Sequence, residues 1–171
     1  MTMILILLGT LAIAAVALLY CRRPKRELVT QIDISASPET VWTVLTRFEG
    51  YADWNPFIRK ILGSLSVGEQ LEVYMEPIDF KPQSFRPTIV EVVPQRRLTW
   101  LGRILITGLF DGCHQFELER IAHGHTRLHH REDFEGVLLW AIDPENFRPS
   151  FEAMNEGLKK QAESSTFPVV E

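Results

Sequence analysis

An abrupt break at residue 21 divides this chain. Met1 to Tyr20, MTMILILLGTLAIAAVALLY, is apolar and uncharged, and Cys21-Arg22-Arg23-Pro24-Lys25-Arg26 follows at once. At about 1.5 Å rise per residue, a helix over residues 3–20 only just crosses a hydrocarbon core of about 30 Å. A cleaved secretory signal carries basic residues before its apolar stretch and small residues at its cleavage site, whereas here the cations come afterwards. The expectation is an uncleaved transmembrane anchor over residues 1–21, followed by a basic juxtamembrane linker over residues 22–27. Arg22, Arg23, Lys25 and Arg26 favour the cytoplasmic face, which predicts a single-pass membrane protein with its folded domain on the cytoplasmic side. Leu18-Leu19-Tyr20 lacks the small residue that lipoprotein processing needs before a cysteine such as Cys21.

Residues 28–171 suffice for one domain with a real core and are too few for two of ordinary size. The whole chain has 18 basic and 22 acidic residues. Setting aside the juxtamembrane cluster leaves the domain more acidic still, which argues against a nucleic-acid partner. Cys21 and Cys113 are the two cysteines, so no disulfide framework or cysteine metal site is readable from spacing. His123, His125, His129 and His130 do not supply three convergent ligands, because two fall in a hairpin turn and His129 points away from His130. His130-Arg131-Glu132 matches half of a zinc deaminase motif, but no Pro-Cys-x-x-Cys follows. Phosphate loops, serine elbows and dinucleotide fingerprints are also missing. No metal and no cofactor are expected.

Leu28, Thr30, Ile32, Ile34 and Ala36 alternate as in a half-buried strand. Ser37-Pro38-Glu39 then reads as a helix start: a hydroxyl cap, a proline where no donor is needed, and a carboxylate on the positive end of the dipole. Val41, Val44, Leu45 and Phe48 form its apolar stripe. A second short helical piece over Tyr51-Ala52-Asp53-Trp54 ends at Asn55-Pro56. Six strands follow, near residues 57–65, 69–76, 83–94, 97–105, 112–121 and 126–134, separated by turn residues. The chain closes with Asp143-Pro144 and a helix bearing Phe147, Phe151, Met154 and Leu158, in which Pro149 marks either a kink or the true start. This order predicts an α+β fold, with helices on one face of an antiparallel sheet of about seven strands.

From about Leu28 to Glu163 the chain resembles the SRPBCC superfamily, also called START-like, and especially its polyketide cyclase/dehydrase-type members. The resemblance rests on Ile34-Ser35-Ala36-Ser37-Pro38-Glu39-Thr40-Val41-Trp42, Tyr51-Ala52-Asp53-Trp54-Asn55-Pro56-Phe57 and Gly108-Leu109-Phe110-Asp111-Gly112. His130-Arg131-Glu132-Asp133-Phe134-Glu135-Gly136 and Phe151-Glu152-Ala153-Met154-Asn155 also fit. It implies a helix-grip fold, a curved sheet wrapped around a long C-terminal helix with a cavity between them. Function transfers poorly within such a fold.

Strand alternation indicates which side chains face that cavity. His114, Phe116 and Leu118 share one face, opposite Cys113, Gln115, Glu117 and Glu119. Thr126, Leu128, His130, Glu132 and Phe134 share another inward face, as do Leu98, Trp100 and Gly102. The expected ligand-binding set is therefore His114, His130 and Glu132 among Trp54, Phe57, Trp100, Phe110, Phe116, Phe134, Phe151 and Met154, with the Asn55 amide at the mouth. His114, His130 and Glu132 are also the catalytic candidates, since a buried carboxylate beside an imidazole can act as an acid–base pair. The same trio can instead be a self-satisfied structural cluster. The leading functional expectation is a membrane-tethered module binding a small hydrophobic or amphipathic ligand: a lipid, an isoprenoid or an aromatic compound. The alternatives are a cyclase- or dehydratase-like enzyme and a chaperone-activator-like interaction domain.

Overall fold

A computed structural model describes residues 2–165; residues 166–171 of the expected domain lie outside the described residues. Helix α1 (Thr2–Cys21) leads into strand β1 (Lys25–Ile34) and helices α2 (Pro38–Thr46) and α3 (Tyr51–Trp54). The expected helix start is present, with Ser37 Oγ accepting a 3.3 Å bond from Thr40 N and Pro38 in the first turn. Seven further strands follow: β2 (Ile58–Leu62), β3 (Glu72–Met75), β4 (Gln83–Phe85), β5 (Thr88–Val93), β6 (Arg97–Arg103), β7 (Asp111–Ala122) and β8 (His125–Glu135). The long helix α4 (Arg148–Ser164) closes the fold, entered through a 3₁₀ turn at Pro144–Phe147 that Asp143 caps. Pro149 thus causes no kink: it sits in the first turn of α4, where its missing N–H costs no bond.

One expectation needs revision. The strand read over residues 83–94 is two strands, β4 and β5, because Pro87 lacks the N–H that a continuous ladder requires. The described residues therefore form eight strands in two antiparallel sheets, ordered β1-β8-β7-β6-β5 and β2-β3-β4. Bonds across the bend join them: Leu71 N to Pro87 O at 2.8 Å, Gly68 N to Ile89 O at 2.8 Å and Ile89 N to Glu69 O at 2.9 Å. The result is a strongly curved antiparallel surface gripping α4, which packs against β1, β8, α2 and α3.

The alternation places the expected side chains inward. Leu98, Trp100, His114, Phe116, Leu118, Thr126, Leu128, His130 and Phe134 are buried, as are Phe151, Met154 and Leu158 of α4. On the outer face, charges pair across strands, with Arg97 to Glu117 at 2.8 Å and Arg127 to Asp33 at 2.7 Å. Gly157 lets α4 approach the end of α3, since a Cβ there would overlap the Trp54 carbonyl.

The N-terminal expectation fares differently. Among the described residues no helix is long and apolar enough to cross a membrane, so the transmembrane anchor is not supported. At about 1.5 Å rise per residue, the 20 residues of α1 no more than match a hydrocarbon core of about 30 Å. The helix there exposes Met3, Ile4, Ile6, Leu7, Leu8, Leu11, Leu18 and Leu19. Its last turn meets the domain through Tyr20 Oη, which donates to Thr107 O at 2.9 Å, and Arg23 pairs with Glu135 at 2.7 Å.

Candidate functional site

Register across three adjacent strands assembles the site. Trp100 on β6 pairs with His114 on β7, and His114 pairs with Glu132 on β8. Phe116 pairs with His130, which faces Thr30 on β1. Because all of these point inward, the side chains join in one buried chain that also recruits Asn155 from α4. Glu132 Oε2 lies 3.2 Å from His114 Nδ1, and His114 Nε2 lies 2.7 Å from His130 Nε2. His130 Nδ1 lies 2.8 Å from Asn155 Oδ1, Asn155 Nδ2 donates to Thr30 Oγ1 at 2.8 Å, and Thr30 Oγ1 donates to His130 O at 3.4 Å.

The protons can be placed by starting at the backbone end. Thr30 gives its proton to a carbonyl and so accepts from the Asn155 amide, which turns Asn155 Oδ1 toward His130. His130 Nδ1 must then carry hydrogen, leaving Nε2 bare in the neutral ring. His114 therefore donates through Nε2 and presents a bare Nδ1 to Glu132. Only a protonated carboxyl can donate there, so Glu132 is a neutral acid.

Burial drives the same assignment. It pushes Glu132 up to about 8, helped by the charge of Asp133, and pushes His114 down to about 3. His130 is held well below the ordinary imidazole range by burial and by its proximity to His114, against the opposing Asn155 bond. Every hydrogen then runs one way, from Glu132 to the His130 carbonyl, with no net charge to desolvate.

The twelve expected ligand-binding residues separate into three groups. The first encloses the histidines. Phe151 stacks on His130 at 4.2 Å, Phe116 lies 4.6 Å from His130, Trp100 lies 5.3 Å from His114, and Phe57 meets Phe151 at 5.8 Å. Met154 is buried with them. The second group, Trp54 and Asn55, lies at the end of α3. Asn55 does turn chemistry, its Oδ1 accepting from Phe57 N and Ile58 N at 2.9 Å each.

The third group is an aromatic string running outward. Phe110 meets Phe134 at 5.5 Å, Phe134 meets Phe147 at 6.4 Å, and Phe147 stacks on Phe80 at 4.8 Å. Phe80 is 39% exposed. Glu132, two residues before Phe134 on the same strand face, sits between the first and third groups.

A glycine makes room for that carboxyl. A Cβ on Gly112 would overlap Glu132 Oε1, and Gly112 pairs with Gly102. The Glu132 side chain keeps 19% of its surface exposed, against 6% for His114. It is therefore the most exposed member of the trio, with the histidines behind it. A separate cleft of about 540 Å³ opens on the outer face between residues such as Glu27, Leu101, Cys113 and Asp133, away from the two histidines. Burial and nearby carboxylates push the Cys113 thiol up, which keeps it protonated and a poor nucleophile.

Sequence reading missed Asn155 and Thr30 as members of the site. Thr30 carried a signal, being a polar residue on the inward face of β1. Asn155 carried a weaker one, an amide inserted directly after Met154 in an otherwise apolar stripe.

Known structures share this architecture. A protein of Chromobacterium violaceum superposes with a TM-score of 0.66 at 21% identity, covering 81% of this chain and 98% of that one. Norcoclaurine synthase of Thalictrum flavum, in complex with dopamine and hydroxybenzaldehyde, gives 0.69 at 13% identity, with 88% and 94% covered. The Zhui aromatase/cyclase of a Streptomyces species gives 0.61 at 16% identity, with 82% and 94% covered. At such identities the likeness establishes the fold. No curated protein matches the sequence. The family model described as polyketide cyclase / dehydrase and lipid transport matches residues 25–163, essentially the whole β1 to α4 body, and the chain belongs to that family.

Proposed function

We propose that this protein binds a small hydrophobic or amphipathic ligand at the Glu132 end of its interior. The observation that carries the reading is the neutral Glu132 acid, backed by His114 and His130 and adjoining the Phe134, Phe110 and Phe147 string. With its one hydrogen given to His114, the neutral carboxyl presents its other oxygen as an acceptor without the desolvation cost of a charge, so it suits a hydroxyl or other donor on an apolar body. The family's breadth, from cyclisation to lipid transport, supports this class of ligand. The aromatic compounds bound by norcoclaurine synthase on the same fold point the same way.

The protein is further proposed to be held at a membrane through α1, with the domain on the cytoplasmic side. The apolar side chains that α1 exposes along its length support this, and a short span is accommodated by local thinning and by snorkelling of Arg22 and Arg23. A second reading, acid catalysis, draws on the same acid. Glu132 can give its proton to a bound oxygen instead of to His114 Nδ1, and the unfavourable carboxylate left facing that bare nitrogen takes the proton back when the product leaves. An interaction domain is the third.

Native mass spectrometry of the full chain in nanodiscs, with extraction of any bound compound, tests the binding reading. A co-purifying apolar molecule, lost in Glu132→Ala at unchanged thermal stability, is the expected result. A protein that stays empty and takes up no fluorescent apolar probe overturns it and leaves the interaction domain.

A further inference from the structure

The Glu132 end of the domain carries a surface that ligand binding inside does not explain. Between β6 and β7 the chain exposes Ile104 at 43%, Leu105 at 90% and Ile106 at 65%, and after β8 it exposes Trp140 at 62%. Water does not favour this arrangement. Leu105 also holds φ at 58°, a left-handed conformation that side chains with a Cβ avoid, and so is kept at the tip of its loop against local preference.

The two loops are one unit. Val137 N bonds to Gly108 O and Leu138 N to Leu109 O, each at 3.0 Å. The last turn of α1 joins them through Tyr20 Oη on Thr107 O, and the Tyr20 ring packs closely on Gly108, where an added Cβ would come within 3.0 Å of it. The start of β1, the end of β6, the start of β7 and the end of β8 meet here by register, since Lys25 pairs with Glu135, Asp111 with Glu135 and Arg103 with Asp111. Exposed Arg22, Lys25, Arg26 and Arg103 therefore belong to the same end as the apolar tips.

We infer that the 104–110 loop and Trp140 form a docking surface for the headgroup region of an anionic lipid bilayer. An apolar tip with Arg22, Arg26 and Arg103 exposed at the same end, Lys25 being held by Glu135 at 3.1 Å, and with an indole at its edge, matches a layer that is apolar below and negatively charged above. The apolar flank of α1 continues directly into this surface, so one membrane contacts both. Phe110 closes the 104–110 loop and meets Phe134, so docking turns the Phe110–Phe134 end of the domain toward the lipid. That a ligand enters at this end rests on the binding reading above; the docking itself does not.

Tryptophan emission reads the contact, because α1 contains no tryptophan and Trp140 is the exposed one among Trp42, Trp54, Trp100 and Trp140. The full chain is mixed with phosphatidylcholine vesicles, with and without phosphatidylglycerol, bearing brominated acyl chains. Flotation of the same samples reports whether α1 has bound. The expected result is quenching that requires phosphatidylglycerol, vanishes in Trp140→Phe and falls by about threefold or more in Leu105→Asp, while flotation persists. Flotation without quenching overturns the docking surface, leaves the α1 tether standing and assigns the apolar loops to a protein partner. Equal quenching without phosphatidylglycerol overturns the anionic assignment. Loss of flotation as well overturns the tether together with the surface.

Discussion

The two ends of the interior use aromatic residues in opposite ways. Around His114 and His130, the rings of Trp100, Phe116 and Phe151 are no more than 1% exposed and pack on the imidazoles and on one another. Beyond Glu132, the Phe110–Phe134–Phe147–Phe80 string steps outward until Phe80 is 39% exposed. The first end is a closed polar chain sealed by hydrophobic weight. The second is an open edge on which one acid of that chain emerges. A buried network can therefore serve structure and chemistry together, its far members holding the near one neutral and aimed.

The sharpest way to break this contrast is to truncate rings at each end and compare. Trp100→Ala or Phe151→Ala is expected to cost about 3–5 kcal/mol in urea unfolding, because a close-packed site cannot collapse onto the void. Phe80→Ala is expected to cost less than about 1 kcal/mol, since its ring is already partly in water. Equal costs at the two ends would erase the distinction.

Next in size is the polar chain. Asn155→Leu leaves the buried His130 N–H without its acceptor and is expected to lose about 1–3 kcal/mol, with Asn155→Asp restoring part of it. Gly112→Ala should cost a similar amount, about 1–3 kcal/mol, by displacing the Glu132 carboxyl from its niche. A Gly112→Ala protein as stable as the parent would show that Glu132 is not seated there.

A smaller and more specific effect is the pH dependence of stability. His114 falls from 6.5 to about 3 on folding, so between those values the unfolded chain binds more protons and stability rises with pH. Glu132 rises from 4.5 to about 8, so the folded chain binds more protons in that interval and the contribution of Glu132 is lost as pH rises through about 8. Between 4.5 and 6.5 the slopes oppose. Above 6.5 the glutamate alone remains, and stability is expected to decline toward pH 8. The exposed edge of Glu132 moderates the size of this decline without changing its sign. Chemical denaturation across this range should show the decline in the parent and its disappearance in Glu132→Gln.

Much of the fold was legible because a strand's period of two is a strong signal when one face is buried. The inward rows Leu98–Trp100, His114–Phe116–Leu118 and Leu128–His130–Glu132–Phe134 follow from alternation alone. Pro87 was visible too, but its effect on the 83–94 stretch depended on whether that strand needed its N–H. The meeting of His130 with Asn155 and Thr30 was not legible, since those residues lie 25 and 100 positions away in the chain. Nor was the division of the aromatics into seal and open string, because both sets have the same composition.

By itself, the sequence determined the elements, their inward faces, the family and the type of polar groups near the interior, all of which depend on local pattern and residue chemistry. Only the tertiary structure decided that Glu132 is a neutral acid, that Asn155 and Thr30 orient its histidines, and that Leu105, Ile106 and Trp140 stand at the same end as α1. These depend on which distant side chains share a dry space, and proton placement and exposure are set by that space.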